Sequence, residues 1–244
     1  MFDEIFSGWG TPVAMPKPPR PPKAPRPITL TPQYLDRISP QLLPLSQDQT
    51  DPLQALAEWR CSLSPGSTIV YDSPVVCELC LEGSLLTHYL IENTQTAHSL
   101  WVGSTCIERP ALAVFSVDGR QLDQEEVSAA LKGEARRVQE EARLQRLIAV
   151  VRSGQALDEE DDDYWLQVEE KIVDSSGTLR PLRAAYLLGY LQRVGADLPR
   201  PKDLKIALRA TVDQADLSWL QRTYVDSFNL VRAHLTREQA ARFS

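Results

Sequence analysis

The pattern of apolar and polar residues predicts strands in the first half of the chain and helices in the second. Short helices are expected near Pro32 and from Asp51, where an Asp-Pro pair can begin a helix, with the second helix ending by Gly66. The next segments are rich in β-branched, leucine and aromatic residues separated by turns, which is typical of a small antiparallel sheet. These strands are predicted at residues 68–72, 84–92, 98–102 and 112–117.

Helical periodicity dominates after residue 122. Asp123 can cap a long helix whose apolar residues recur three and four positions apart, and Gly154 is its expected end. Another helix is predicted over residues 178–194, and three short helices over residues 199–244. We therefore predict an α+β fold, in which a small antiparallel β module with a zinc site is followed by a long helix and a C-terminal helical bundle.

The N-terminus has a different composition from the rest of the chain. Residues 15–27 contain seven prolines and four basic residues, so a disordered, semi-rigid linker is expected there. Ahead of it, four apolar residues share one helical face and predict either a peptide that binds a groove of a partner protein or a flap or frayed end of its own domain. These residues are Phe2, Ile5, Phe6 and Trp9. The predicted domains are 1–31 (peptide and linker), 32–155 (zinc-binding α+β domain) and 156–244 (helical domain).

Charge is unevenly distributed along the chain. The net charge of −7 argues against indiscriminate coating of nucleic acid. Residues 156–174 hold nine acids and one lysine, whereas residues 176–244 hold eleven basic and six acidic residues. The sequence shows neither an apolar run long enough to span a membrane nor the order of a signal peptide, so we expect a cytoplasmic protein without a membrane partner.

Three cysteines have the spacing of a metal site. Cys77 and Cys80 form a Cys-x-x-Cys knuckle, which places two thiolates on one turn at a distance suited to a tetrahedral Zn²⁺ ion. Cys106 follows Gly103, and the glycine allows a tight strand-to-helix turn that brings this cysteine to face the knuckle. Without an export signal, reduced thiolates are a better interpretation than disulfides.

The fourth ligand is expected to be a histidine between the knuckle and Cys106. His88 and His98 are the candidates. Leu86 and Leu90 flank His88 at a period of two, which predicts an apolar strand face and favours His88 as the ligand. His98 follows a polar turn and stays the alternative. A histidine on an apolar strand face is, taken alone, usually a core residue.

These residues resemble a family of small zinc-binding modules of uncharacterised bacterial and phage proteins. The family has a Cys-x-x-Cys knuckle, a histidine-bearing strand and a closing Val-Gly-x-x-Cys. Here these are Cys77, Cys80, His88 and, at the end, Val102 to Cys106. The resemblance covers about forty residues and departs from the pattern at Leu81, where a glycine often follows the knuckle. It implies structural zinc and no particular function.

The sequence favours a non-enzymatic zinc-binding protein associated with single-stranded or duplex nucleic acid. A catalytic zinc of the deaminase type needs a His-x-Glu, which the chain lacks. Trp101, Tyr89 and Arg109 could stack on bases or contact phosphates. Two alternatives stay open. One is a protein-interaction adaptor that uses the N-terminal apolar peptide, and the other is a metal-dependent enzyme.

Overall fold

The fold combines a mixed sheet with a helical half, as the sequence predicts. The computed structural model describes residues 30–158, 162–208 and 210–243, and the α+β class is confirmed over these ranges. The elements in chain order are α1 (Pro32–Leu42), α2 (Pro52–Ala57), β1 (Trp59–Ser62), β2 (Thr68–Val75), β3 (Leu85–Asn93), β4 (Ser99–Val102), α3 (Ser104–Ile107), β5 (Ala113–Phe115), α4 (Gln124–Leu157), α5 (Asp162–Asp174), β6 (Thr178–Leu179), α6 (Pro181–Arg193), β7 (Lys205–Ile206), α7 (Thr211–Thr223), α8 (Val225–Arg232) and α9 (Arg237–Ala241).

The main sheet has the strand order β2-β3-β1-β5, and β4 also pairs with β3. The predicted sheet was antiparallel, but β1 and β5 pair in parallel, so the sheet is mixed. The sequence pattern missed β1, because a helix was expected to continue as far as Gly66. In fact Trp59 and Cys61 are buried and Arg60 between them is exposed, which is the period of two of a strand.

The first hydrophobic core lies against the inner face of β3. Tyr89 and Ile91 are buried on this face, together with Trp59 and the three candidate metal-binding cysteines. The hydroxyl of Tyr89 donates a hydrogen bond to the carbonyl oxygen of Leu131 at 2.9 Å. Because Leu131 lies on α4, this bond attaches the long helix to the sheet.

The long helix α4 contributes to two separate cores. At its start, the Asp123 carboxylate accepts hydrogen bonds from the backbone N–H groups of Glu125 and Glu126, which confirms the predicted cap. Val127 belongs to the first core and Leu147 to the second. Helix α4 runs across the predicted domain boundary between residues 155 and 156. The division into domains stays a prediction.

Gly154 is not the end of α4, although glycine often ends a helix. The helix continues to Leu157, and Gly154 is buried inside it. A methyl group at Gly154 would lie 2.6 Å from the Trp165 ring and 2.7 Å from the Leu191 side chain. The residue is therefore small because α5 and α6 pack closely against this turn.

Ionic contacts organise the helical half. The buried Arg143 guanidinium donates hydrogen bonds to the carbonyl oxygens of Asp203 and Ser176. Arg180, at the start of α6, pairs with the Asp216 carboxylate of α7 at 2.7 Å. The predicted helix over 178–194 is α6 preceded by the short strand β6, which pairs in parallel with β7. Among the described helices, none has the length and apolar character of a membrane span.

Candidate metal centre

The knuckle (residues 77–80) is a closed turn fastened to the sheet. The backbone N–H of Leu81 donates to the carbonyl oxygen of Cys77 at 2.9 Å, which closes the turn. Glu78 binds β4 twice: its backbone N–H donates to the Trp101 carbonyl oxygen at 3.0 Å, and its carboxylate accepts the Trp101 N–H at 2.6 Å. These bonds fix the knuckle at the end of β4 where the chain continues towards Cys106.

Leu81 has the backbone conformation that usually requires glycine. Its φ is +57°, in the left-handed region, which costs a residue with a side chain roughly 1–2 kcal/mol. This is the position at which the zinc-module pattern has a glycine. The turn therefore requires a left-handed backbone conformation at this position in both cases. Leu81 adopts it, and its side chain is mostly exposed to solvent.

Cys106 lies in the single-turn helix α3, as the sequence predicts. Gly103 caps this helix with a φ of −77°, so a left-handed turn is not the reason for the glycine. The reason is space, because a methyl group on Gly103 would lie 2.7 Å from a methyl carbon of Leu85. The close approach of Leu85 on β3 thus holds α3 against the sheet, with Cys106 facing the knuckle.

The structure brings three thiols into one buried group. The sulfur atoms of Cys77, Cys80 and Cys106 all lie within 4.8 Å of one another, and the Cys77 and Cys106 sulfurs are 3.8 Å apart. This separation far exceeds a disulfide bond, and all three are free cysteines. Their exposed fractions are 0%, 6% and 3%. Such a set of thiolates suits Zn²⁺ or another thiophilic metal ion.

The thiols influence one another through hydrogen bonds. Bonding to Cys106, and then to Cys80, holds the pKa of Cys77 well below its usual range. The same bond to Cys77, with a further one to Cys80 and with burial, raises the pKa of Cys106. The group therefore favours one thiolate that accepts hydrogen bonds from two thiols, and a divalent cation would replace those protons.

Tyr34 of α1 lies beside the thiols, and Arg109 lies against its ring; the sequence pattern marks neither as part of the site. Burial raises the pKa of Tyr34, and the neighbouring Cys106 thiol raises it further. Its hydroxyl is buried beside the Cys106 thiol and has no other hydrogen-bond partner among the described residues. The Arg109 guanidinium carbon lies 3.5 Å from the centroid of the Tyr34 ring. In sequence, Tyr34 has the spacing of a core residue with Ile38, so no local signal distinguishes it.

The structure does not bring His88 into the thiol group. Residues 85, 89 and 91 of β3 face the core with the cysteines, and the alternation of a strand directs His88 to the opposite face. There its ring lies edge-on to Tyr71, with ring centroids 5.4 Å apart. Leu86, on the same face, is about half exposed, so the apolar flanks of His88 did not mark the inner face. The expectation of His88 as the fourth ligand therefore has no support in this geometry.

The remaining candidate residues are also away from the thiols. His98 is exposed, and its Nδ1 atom lies 3.2 Å from the carbonyl oxygen of Leu45. Cys61 is buried on β1 outside the group, and burial raises its pKa to about 12. Tyr89 is buried in the core, so it cannot stack on bases as was expected. The predicted partner-binding residues Phe2, Ile5, Phe6 and Trp9 lie outside the described residues.

The chain matches no protein-family model, no curated protein and no solved structure. The resemblance to small zinc-binding modules therefore stays a prediction.

Proposed function

We propose that this chain is a non-enzymatic zinc-binding protein in which a single metal ion holds together the sheet half. The proposal rests on the meeting of Cys77, Cys80 and Cys106 in one buried group. They come from the knuckle and from α3, which are separated by the hairpin of β3 and β4. An ion bound to all three would therefore cross-link these segments, and its binding energy would contribute directly to folding.

Three thiolates leave one position of a tetrahedral ion for a fourth ligand, which the thiol group itself does not supply. Burial favours a structural role for the metal over a catalytic one. A catalytic zinc keeps a position open to water and has an acid or base beside it. In the residues that the structure describes, the group contains no carboxylate and no histidine, and the sulfurs are closed off from solvent. The alternative of a metal-dependent enzyme thus has no support in the site. Zinc is proposed over softer ions because it commonly binds structural thiolate sites.

We also propose that the protein associates with nucleic acid through its helical half. The excess of basic over acidic residues in 176–244 supports this proposal, and several of the acids are engaged inside the fold. Asp203, Asp213 and Asp216 are buried and form ion pairs. Because Arg180 and Arg200 are engaged in the same ion pairs, the exposed charge of this segment follows its composition and does not exceed it. The alternative of an adaptor that uses the N-terminal peptide stays a prediction.

The zinc proposal is tested by replacing cysteines one at a time. Cys77→Ser or Cys106→Ser should weaken zinc binding by about a hundredfold or more, because each replacement removes a thiolate ligand. Cys61→Ser is the matched control, since Cys61 is equally buried in the same core but outside the thiol group. Zinc affinity is measured by chelator competition on folded protein. Equal affinities of Cys77→Ser and Cys61→Ser would contradict the proposal.

A further inference from the structure

The helical half carries a groove lined by aromatic rings, remote in sequence from the cysteines. It lies between α6, α7 and α8 and has a volume of about 540 Å³. We call it the aromatic groove. Its principal lining residues are Leu182, Tyr186, Tyr190, Arg193, Trp219 and Tyr224.

The rings of the groove are exposed yet held in place. Tyr186 is 66% exposed, Trp219 44% and Tyr224 53%. Trp219 and Tyr224 contact each other with ring centroids 5.1 Å apart. The Tyr190 hydroxyl donates a hydrogen bond to the Asp158 carboxylate, which fixes the Tyr190 ring. Pre-oriented aromatic surface of this kind is typical of a binding site, because a monomer gains nothing from leaving it in water.

Arg193 lines the aromatic groove, and two further arginines lie one helical turn from its aromatic residues. Arg183, Tyr186, Tyr190 and Arg193 follow one another at spacings of three, four and three residues, which puts them on one face of α6. The Arg193 guanidinium carbon lies 4.0 Å from the centroid of the Tyr190 ring. Arg222 follows Trp219 by one helical turn.

Arg183, Arg193 and Arg222 are exposed. Within the described ranges, Arg183, Arg193 and Arg222 take part in no salt bridge, whereas Arg180 and Arg200 pair with carboxylates. Their charges thus face solvent beside the exposed rings. An anion with flat apolar faces would satisfy both features of the groove.

We propose that the aromatic groove binds single-stranded nucleic acid by base stacking, with the arginines on the phosphates. Aromatic rings accept any base because every base has a π-face, and guanidinium groups supply the attraction to the backbone. A duplex hides those faces, so single strands should bind better. The inference rests on the proposed nucleic-acid association and names its surface and its strand preference.

Charge decides against another occupant that aromatic grooves commonly accept, a proline-rich segment. This chain has one at residues 15–27, but that segment carries four basic residues. The arginines around the groove would repel it, whereas they attract a polyphosphate chain. The proline-rich segment is therefore kept as a competing outcome of the test.

The test uses the full chain and a fluorescently labelled oligothymidylate, with a duplex of the same length for comparison. Tyr186→Ala and Trp219→Ala should each weaken single-strand binding by about tenfold, since each removes a stacking surface. Arg183→Gln with Arg193→Gln should weaken it further and flatten its dependence on salt. Leu166→Ala is the matched control, because Leu166 is an exposed apolar helical residue of α5 that does not line the groove.

The outcomes separate the groove from the wider proposal. Binding that is weakened by the ring variants and unchanged by Leu166→Ala supports the groove. Single-strand binding that the ring variants leave intact overturns the groove while nucleic-acid association stands. No binding of any oligonucleotide at low salt, with zinc still bound, overturns the association itself. Binding of a labelled peptide of residues 15–27 that Trp219→Ala weakens, without oligonucleotide binding, would assign the groove to that segment.

Discussion

At the scale of single residues, the sequence identified the thiols but not their surroundings. Cys77, Cys80 and Cys106 could be predicted because their spacing is local or set by a short strand-to-helix turn. The geometry does not support His88 as a ligand; the leucines beside it are apolar, but apolarity alone does not distinguish the two faces of a strand. Tyr34 reaches the thiols only through the packing of α1, a contact across many residues of sequence that no local pattern encodes.

Tyr34 should strengthen metal binding through its hydroxyl. A phenol is neutral at pH 7 and can donate a hydrogen bond to a Cys106 thiolate once metal has displaced the thiol proton. Tyr34→Phe keeps the ring and removes this donor, so zinc affinity should fall by about ten- to a hundredfold. Tyr89→Phe is the control, because it loses its bond to Leu131 at a cost of about 1 kcal/mol of stability but leaves the thiols untouched. Equal zinc affinities of wild type and Tyr34→Phe would exclude this role.

At the scale of elements, the long helix α4 and the short strands β2 to β5 were predicted, but the strand β1 was missed. The cap at Asp123 and the apolar period of α4 are local properties, and both agree with the structure. Strand β1 is only four residues long and was absorbed into a predicted helix. It becomes a strand because β3 and β5 pair with it on either side, which is a non-local effect. Gly154 was predicted to end the helix. It is instead a position inside α4 where the absence of a side chain lets α5 and α6 pack closely.

Two glycines of α4 should respond to alanine in opposite directions. Gly154→Ala should destabilise the fold by about 1–3 kcal/mol, because the added methyl group overlaps Trp165 and Leu191. Gly133→Ala should stabilise it by about 0.5–1 kcal/mol, since that position has open space and alanine favours the helix. Urea unfolding of both variants measures the difference. A stabilised Gly154→Ala protein would show that the close packing at this turn is absent.

At the scale of the whole molecule, helix α4 joins two hydrophobic cores that are stabilised by different interactions. The second core is built from helices and is joined by hydrogen bonds such as that from the Arg143 guanidinium to the carbonyl oxygen of Asp203. The first contains a group of three thiols, whose protons a metal ion would displace. The α+β class could be predicted because it follows from local periodicity. The parallel pairing of β1 with β5 and the meeting of α6, α7 and α8 at the aromatic groove could not, since both depend on contacts between distant segments.

The most direct test of the metal centre is native mass spectrometry of wild-type protein purified without chelator. We expect one zinc ion per folded chain, held by Cys77, Cys80 and Cys106, and its loss on treatment with a strong chelator or in Cys106→Ser. The measurement reports the stoichiometry and identity of the metal without any assumption about function. A folded wild-type chain of metal-free mass, unchanged when zinc is added, would contradict the account.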